Sequence, residues 1–182
     1  MLAKSAGISS GQAEEALRRH VALCFDLCHS TVEYEEPGKT LEVLRKAGVR
    51  IGRVQVSSAV KLSLPARAAQ HEQLSALADP VYLHQTIGNR ERFADLPEAL
   101  AQLDRARSPE WRVHYHVPLF MENYGELSST QAEVRDALSR FSADEVRHLE
   151  IETYTWSVLP PAVRLDLADS IEREYRWVLG QL

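Results

Sequence analysis

The chain places thiols, imidazoles and carboxylates close together in three short stretches: CFDLCH at residues 24–29, HYH at 114–116 and EIE at 150–152. A fourth stretch, RVQVS at 53–57, alternates polar and apolar side chains. Carboxylates, imidazoles and thiolates are the groups that bind borderline divalent cations such as Zn2+ or Mn2+. A cation of that kind can polarise a hydroxyl or carbonyl oxygen while a free carboxylate removes a proton from carbon. Glu152 and Glu150 are the candidate bases, and Arg53, Gln55 and Lys61 are candidate substrate contacts, with Arg67 a further cation for a phosphorylated substrate.

The elements that would position these groups are four apolar-rich segments that read as strands: Val21 to Cys28, Val49 to Ser57, Trp111 to Val117 and His148 to Tyr154. Side chains alternate between the faces of a strand. Asp26 then shares a face with Cys24 and Cys28, opposite Phe25 and Leu27. Arg53, Gln55 and Ser57 oppose Val54 and Val56; His114 pairs with His116; Glu150, Glu152 and Tyr154 oppose Leu149 and Ile151. One face of every strand is therefore polar. Burying such groups without partners costs several kcal/mol each, and a bound cation would offset that cost. Taken singly, the same residues have blander readings. Asp26 can cap a turn, two histidines on a strand can be exposed, and Glu150 and Glu152 can form a solvated edge.

Helical patterns separate the strands. TLEVLRKA at 40–47 ends at Gly48, Asp95 and Glu98 have capping-box spacing, and so do Thr130 and Glu133. The last helix is expected to start near Pro160 or Pro161. The stretch from Ser57 to Asp95 is long for a connection; Pro65 to Leu77 looks helical, and DPVYLHQTIG at 79–88 reads as a short strand or a lid. Alternating strands and helices predict a parallel sheet of βα units in one domain over residues 1–182. Four such units make half of a (β/α)8 barrel, which needs roughly 250 residues. A half barrel exposes two sheet edges, so self-association through them, or a fragment of a longer barrel, is expected.

The 182 residues are 45% hydrophobic and 26% charged, with a net charge of −5. That charge argues against a general nucleic-acid partner. No apolar run is long enough to insert in a membrane, and the first residues lack a signal-peptide core, which points to a cytoplasmic protein. Two cysteines cannot build a disulfide scaffold, and C-x3-C without a second pair makes a poor structural zinc site. Reduced thiols are expected.

The CFDLCH motif resembles the strand end of endonuclease IV and its relatives in the xylose isomerase-like TIM-barrel superfamily. That resemblance implies that Asp26 and His29 are metal ligands. LEIETYT resembles the late barrel strand whose glutamate binds the metal, which implies Glu152. HYHVPLF falls where relatives carry two ligands, implying His114 and His116. Gln55 or a neighbour stands where relatives have a metal-binding histidine, a departure that weakens the set. Across CFDLCHSTVEYE, VQVSSA, VYLHQ, WRVHYHVPLF and LEIETYTW, the chain resembles the C-terminal half of EboE-type metabolite traffic proteins. The expected function is a metal-binding barrel protein acting on a small polar metabolite, as a sugar isomerase or epimerase does. A metal-dependent phosphoester hydrolase and a non-catalytic metabolite-binding protein are the alternatives.

Overall fold

The computed structural model describes residues 2–152, 155–159 and 164–182. Helices α1 (Leu2–Ala6) and α2 (Ser10–His20) precede strand β1 (Leu23–Asp26). A capping box opens α2, with Ser9 and Gln12 each satisfying the other's backbone N–H. The strand stops at Asp26 because its Oδ1 accepts the His29 N–H at 3.1 Å and so caps helix α3 (Leu27–Val32). Helix α4 (Pro37–Lys46) starts on a proline and is followed by Gly48, whose φ of 65° gives the left-handed turn after the helix. Strand β2 (Ile51–Val56) follows, and after the single residue Ser57 the chain is already in strand β3 (Ser58–Ser63).

Next come α5 (Ala68–Ser75), β4 (Thr86–Gly88), β5 (Arg92–Phe93), α6 (Leu96–Leu100), β6 (Glu110–Val117), β7 (Asn123–Tyr124), β8 (Leu127–Ser129) and α7 (Gln131–Leu138). Strand β9 (Leu149–Ile151) and helix α8 (Leu167–Leu179) complete the order. The expected helix start at Pro160 or Pro161 lies outside the described residues, as does Tyr154. Asp95 caps α6 through the Leu96 N–H, and Glu98 reaches back to the Ala94 N–H. Thr130 makes no side-chain cap on α7. Its hydroxyl instead accepts the Ala59 N–H at 2.8 Å, tying α7 to β3.

The strands form two sheets. One is parallel, in the order β1-β2-β9; the other is antiparallel, in the order β5-β4-β6-β3-β8-β7. This arrangement overturns the expected (β/α)8 TIM-barrel architecture, half or whole, and the xylose isomerase-like fold with it. The error lies in β3. AVKLS was read as the start of a long connection, yet it is a strand that runs straight on from β2. The chain leaves β3 at its far end, so β6 returns antiparallel beside it, with Val60 opposite Val113 and Leu62 opposite Trp111. The place beside β2 that the barrel reserved for β6 goes to β9, with Val54 opposite Leu149.

Each sheet has its own apolar core. Val60, Leu62, Leu74, Leu96, Trp111, Val113 and Tyr115 pack around the antiparallel sheet. Phe25, Leu27, Leu41, Val54, Val56, Val134, Leu138 and Val178 pack around the parallel one. Helix α3 joins them. Arg112 of β6 donates to the Thr31 carbonyl at 2.7 Å and lies 4.0 Å from the centre of the Tyr34 ring. Those contacts hold α3 over the polar face of β6. No helix among the described residues is long and apolar enough to cross a membrane.

Candidate functional site

The alternation of β6 sets His114 and His116 on one face, with ring centroids 5.2 Å apart. Over them lies the first turn of α3, where the His29 ring stacks on His114 at 4.2 Å. Cys28 is fully buried in the same turn. On a continued strand Cys28 and His29 would point to opposite faces; the turn forced by the Asp26 cap lets both meet β6. Ligand atoms of Cys28, His114 and His116 all come within 4.8 Å of one another. A tetrahedral site with bonds of about 2.0–2.3 Å needs ligand separations near 3.5 Å.

Burial holds both imidazoles neutral. His114 is lowered to about 4 by burial and then by the neighbouring His29 and His84. His116 is lowered to about 3 by burial and by His114. Neutral imidazole is the form that binds metal. The Cys28 thiol is pushed well up by burial, then by the negative Asp26 and Glu152, with the Ser57 hydroxyl opposing. Glu152 is raised by burial and by Asp26, against a hydrogen bond from Gln55. Its Oε2 lies 3.9 Å from His116 Nδ1.

The C-terminal ends of the parallel strands carry a hydrogen-bonded row. Arg53 Nε donates to Cys24 Sγ at 3.2 Å, Cys24 donates to Gln55 Oε1 at 3.4 Å, and the Gln55 amide donates to Glu152. The structure thus gathers His29, His114, His116 and Glu152 in one place. Asp26 stands close enough to raise Glu152 and Cys28, but one of its oxygens is committed to the α3 cap. Two other candidates, Glu150 and Lys61, bond elsewhere. Glu150 is exposed and pairs with Arg53 at 2.6 Å, which removes it as a base beside the imidazoles. Lys61, on β3 of the antiparallel sheet, binds Glu133 at 3.0 Å, whereas Arg53 lies on β2 of the parallel sheet. Gln55 touches Glu152 and is an organiser of that carboxylate.

Two residues escaped the sequence reading. Cys28 was set aside as a reduced thiol; its proximity to β6 depends on α3, whose start the strand reading had hidden. Glu174 lies on α8 and is 3% exposed, held at about 7 by burial against a hydrogen bond from the Leu119 N–H at 3.2 Å. The spacing of Ser170, Glu174 and Val178, one helical turn apart and all buried, was the available signal: a carboxylate sits on the apolar stripe of an amphipathic helix. Glu174, Ser170, Glu152, Thr155 and Trp156 line a small crevice on His116, with room of about 10 Å³.

Comparison with known protein families, curated proteins and solved structures finds no match to this chain.

Proposed function

We propose that this protein holds a zinc-class cation on Cys28, His114 and His116 and uses it to bind and polarise a small polar metabolite. The observation that carries this reading is the convergence of three donor atoms within 4.8 Å, drawn from two elements far apart in sequence. One thiolate and two imidazoles favour Zn2+ over the Mn2+ that a carboxylate-rich set would allow. Three protein ligands leave a fourth position for water or a substrate oxygen, the arrangement of catalytic rather than structural zinc. Glu152, 3.9 Å from His116, is placed to orient that ring or to move a proton from a bound hydroxyl. An isomerase or epimerase chemistry on a small hydroxylated carbonyl compound uses these parts. Phosphoester hydrolysis is less well supplied, because Arg53 and Lys61 are engaged with Glu150 and Glu133.

Elemental analysis of the purified chain tests the site. The expected result is one zinc per chain, lost in Cys28→Ala and His116→Ala and kept in Arg53→Ala. Cobalt substitution should give a near-ultraviolet thiolate-to-metal band that disappears in Cys28→Ala. Full metal content in Cys28→Ala would remove the reading. Assays on small polyols and ketose–aldose pairs then separate turnover from handover. Binding of such compounds without turnover identifies a carrier that uses the same cation.

A further inference from the structure

The crevice on the α8 side of His116 is built differently from the metal cluster. Glu174 is almost wholly buried, and only one of its oxygens has a hydrogen-bond partner among the described residues, the Leu119 N–H. The carboxyl lines the crevice, with the buried Ser170 one turn before it on the same helix face. Glu152 and Trp156 also line it; Val117, Pro118 and Leu159 supply apolar wall. None of the described lining residues is a lysine or arginine. Among the described residues, Glu174 also belongs to no group spaced to hold a metal ion.

We infer that this crevice receives the ammonium end of a small primary amine, with Glu174 as its principal partner. Two carboxyl groups without a basic neighbour among the described lining residues give no countercharge to phosphate, sulfate or carboxylate ligands. A hydroxyl brings no countercharge and leaves the buried Glu174 carboxyl to keep its proton, whereas an ammonium lets it give up that proton by supplying both the countercharge and several N–H donors. The room available, about that of one water molecule, fits an –NH3+ group and excludes a quaternary ammonium. The Trp156 ring adds an aromatic surface, which favours a cation. With a cation on Cys28, His114 and His116, the amine terminus and the polarised oxygen of one metabolite would occupy sites that share His116. The amine subsite itself does not depend on the metal.

The test is a titration of the zinc-loaded and chelator-treated full chain with n-propylammonium chloride, 1-propanol and tetramethylammonium chloride. The readout is the indole N–H resonance of Trp156, assigned with Trp156→Phe. Propylammonium should give a saturable shift in both preparations, and the other two none. Glu174→Gln should weaken it by ~10-fold or more, the loss of a charge-assisted hydrogen bond, with circular dichroism unchanged. Cys28→Ala should keep the amine affinity while losing zinc, so failure of the metal reading is separable from failure of this one. Equal shifts with propanol, no saturable shift with propylammonium, or undiminished binding by a folded Glu174→Gln would each overturn the inference. If Glu174→Gln does not fold, the comparison of amine with alcohol on the unaltered chain still decides.

Discussion

Two regions of the molecule treat ionisable groups in opposite ways. In the first, around Lys61, His84 and Glu91 of the antiparallel sheet and its connections, ionisable groups meet complements. Lys61 and Arg112 stand directly opposite each other on neighbouring strands, a repulsive pair, and Glu133 bridges both at 3.0 Å. The buried His84 ring faces the His114 carbonyl at 2.9 Å and the Asp79 carboxylate at 2.7 Å. Glu91 accepts from the Trp111 indole at 2.8 Å. In the second, where α3, α8 and the end of β9 meet the histidine face of β6, Cys28, Glu152 and Glu174 are all pushed upward and His114 and His116 downward. Every one of these shifts is led by burial, so the fold disfavours their charged forms. Groups kept in that state gain from an added cation. The first set stabilises the structure, and the second is available for a ligand.

Glu174 gives the largest expected test of this contrast. Its folded value of about 7 exceeds the ordinary carboxylate value of 4.5. The native state therefore retains a proton that the unfolded chain gives up, and stability falls as pH rises from the unfolded value through the folded one. Glu174→Gln should be more stable than the parent by ~3 kcal/mol above that window and no different below it. Urea unfolding at acid and mildly alkaline pH measures the difference. A difference that does not change with pH would place Glu174 with the satisfied groups of the other region.

The bridge on the antiparallel sheet should respond in the other direction. Glu133→Ala leaves Lys61 and Arg112 facing each other, both largely shielded from water, and should destabilise the chain by ~2 kcal/mol near neutral pH. Zinc content should not change. Urea denaturation with elemental analysis checks both points, and loss of zinc would show that the two regions are one functional unit. The smallest effect is expected at the surface pair of Arg53 with Glu150, each about half exposed. Arg53→Ala should cost under ~0.5 kcal/mol, since exposed ion pairs contribute little. A larger loss in thermal unfolding would mean that the row from Arg53 through Cys24 and Gln55 to Glu152 acts as a unit.

How much of this was legible beforehand differs from residue to residue. The segments at β1, β2, β6 and β9 were readable because apolar alternation is a local property of period two. The same period placed His114 with His116 and separated Phe25 from Asp26. It also hid α3, because a strand pattern and a capped first turn share the same apolar residues until Asp26 makes its bond to the His29 N–H. The run SAVKLS was legible as a strand in principle, but the single residue Ser57 between β2 and β3 gave no turn signal, so the two merged and the remainder passed for a loop.

What the sequence determined alone was the set of polar groups, their faces on each strand and the apolar residues that bury the other face. These follow from backbone geometry within a few residues. The tertiary structure decided which strand lies beside β2, which way β6 runs, that Cys28 joins two imidazoles 86 and 88 residues further along, and that Glu174 is enclosed. Strand partners and directions depend on where the intervening chain travels and on which faces α3 and α8 can cover. Those are long-range packing choices: the spacing of Ser170, Glu174 and Val178 marks a buried face of α8 but not what covers it.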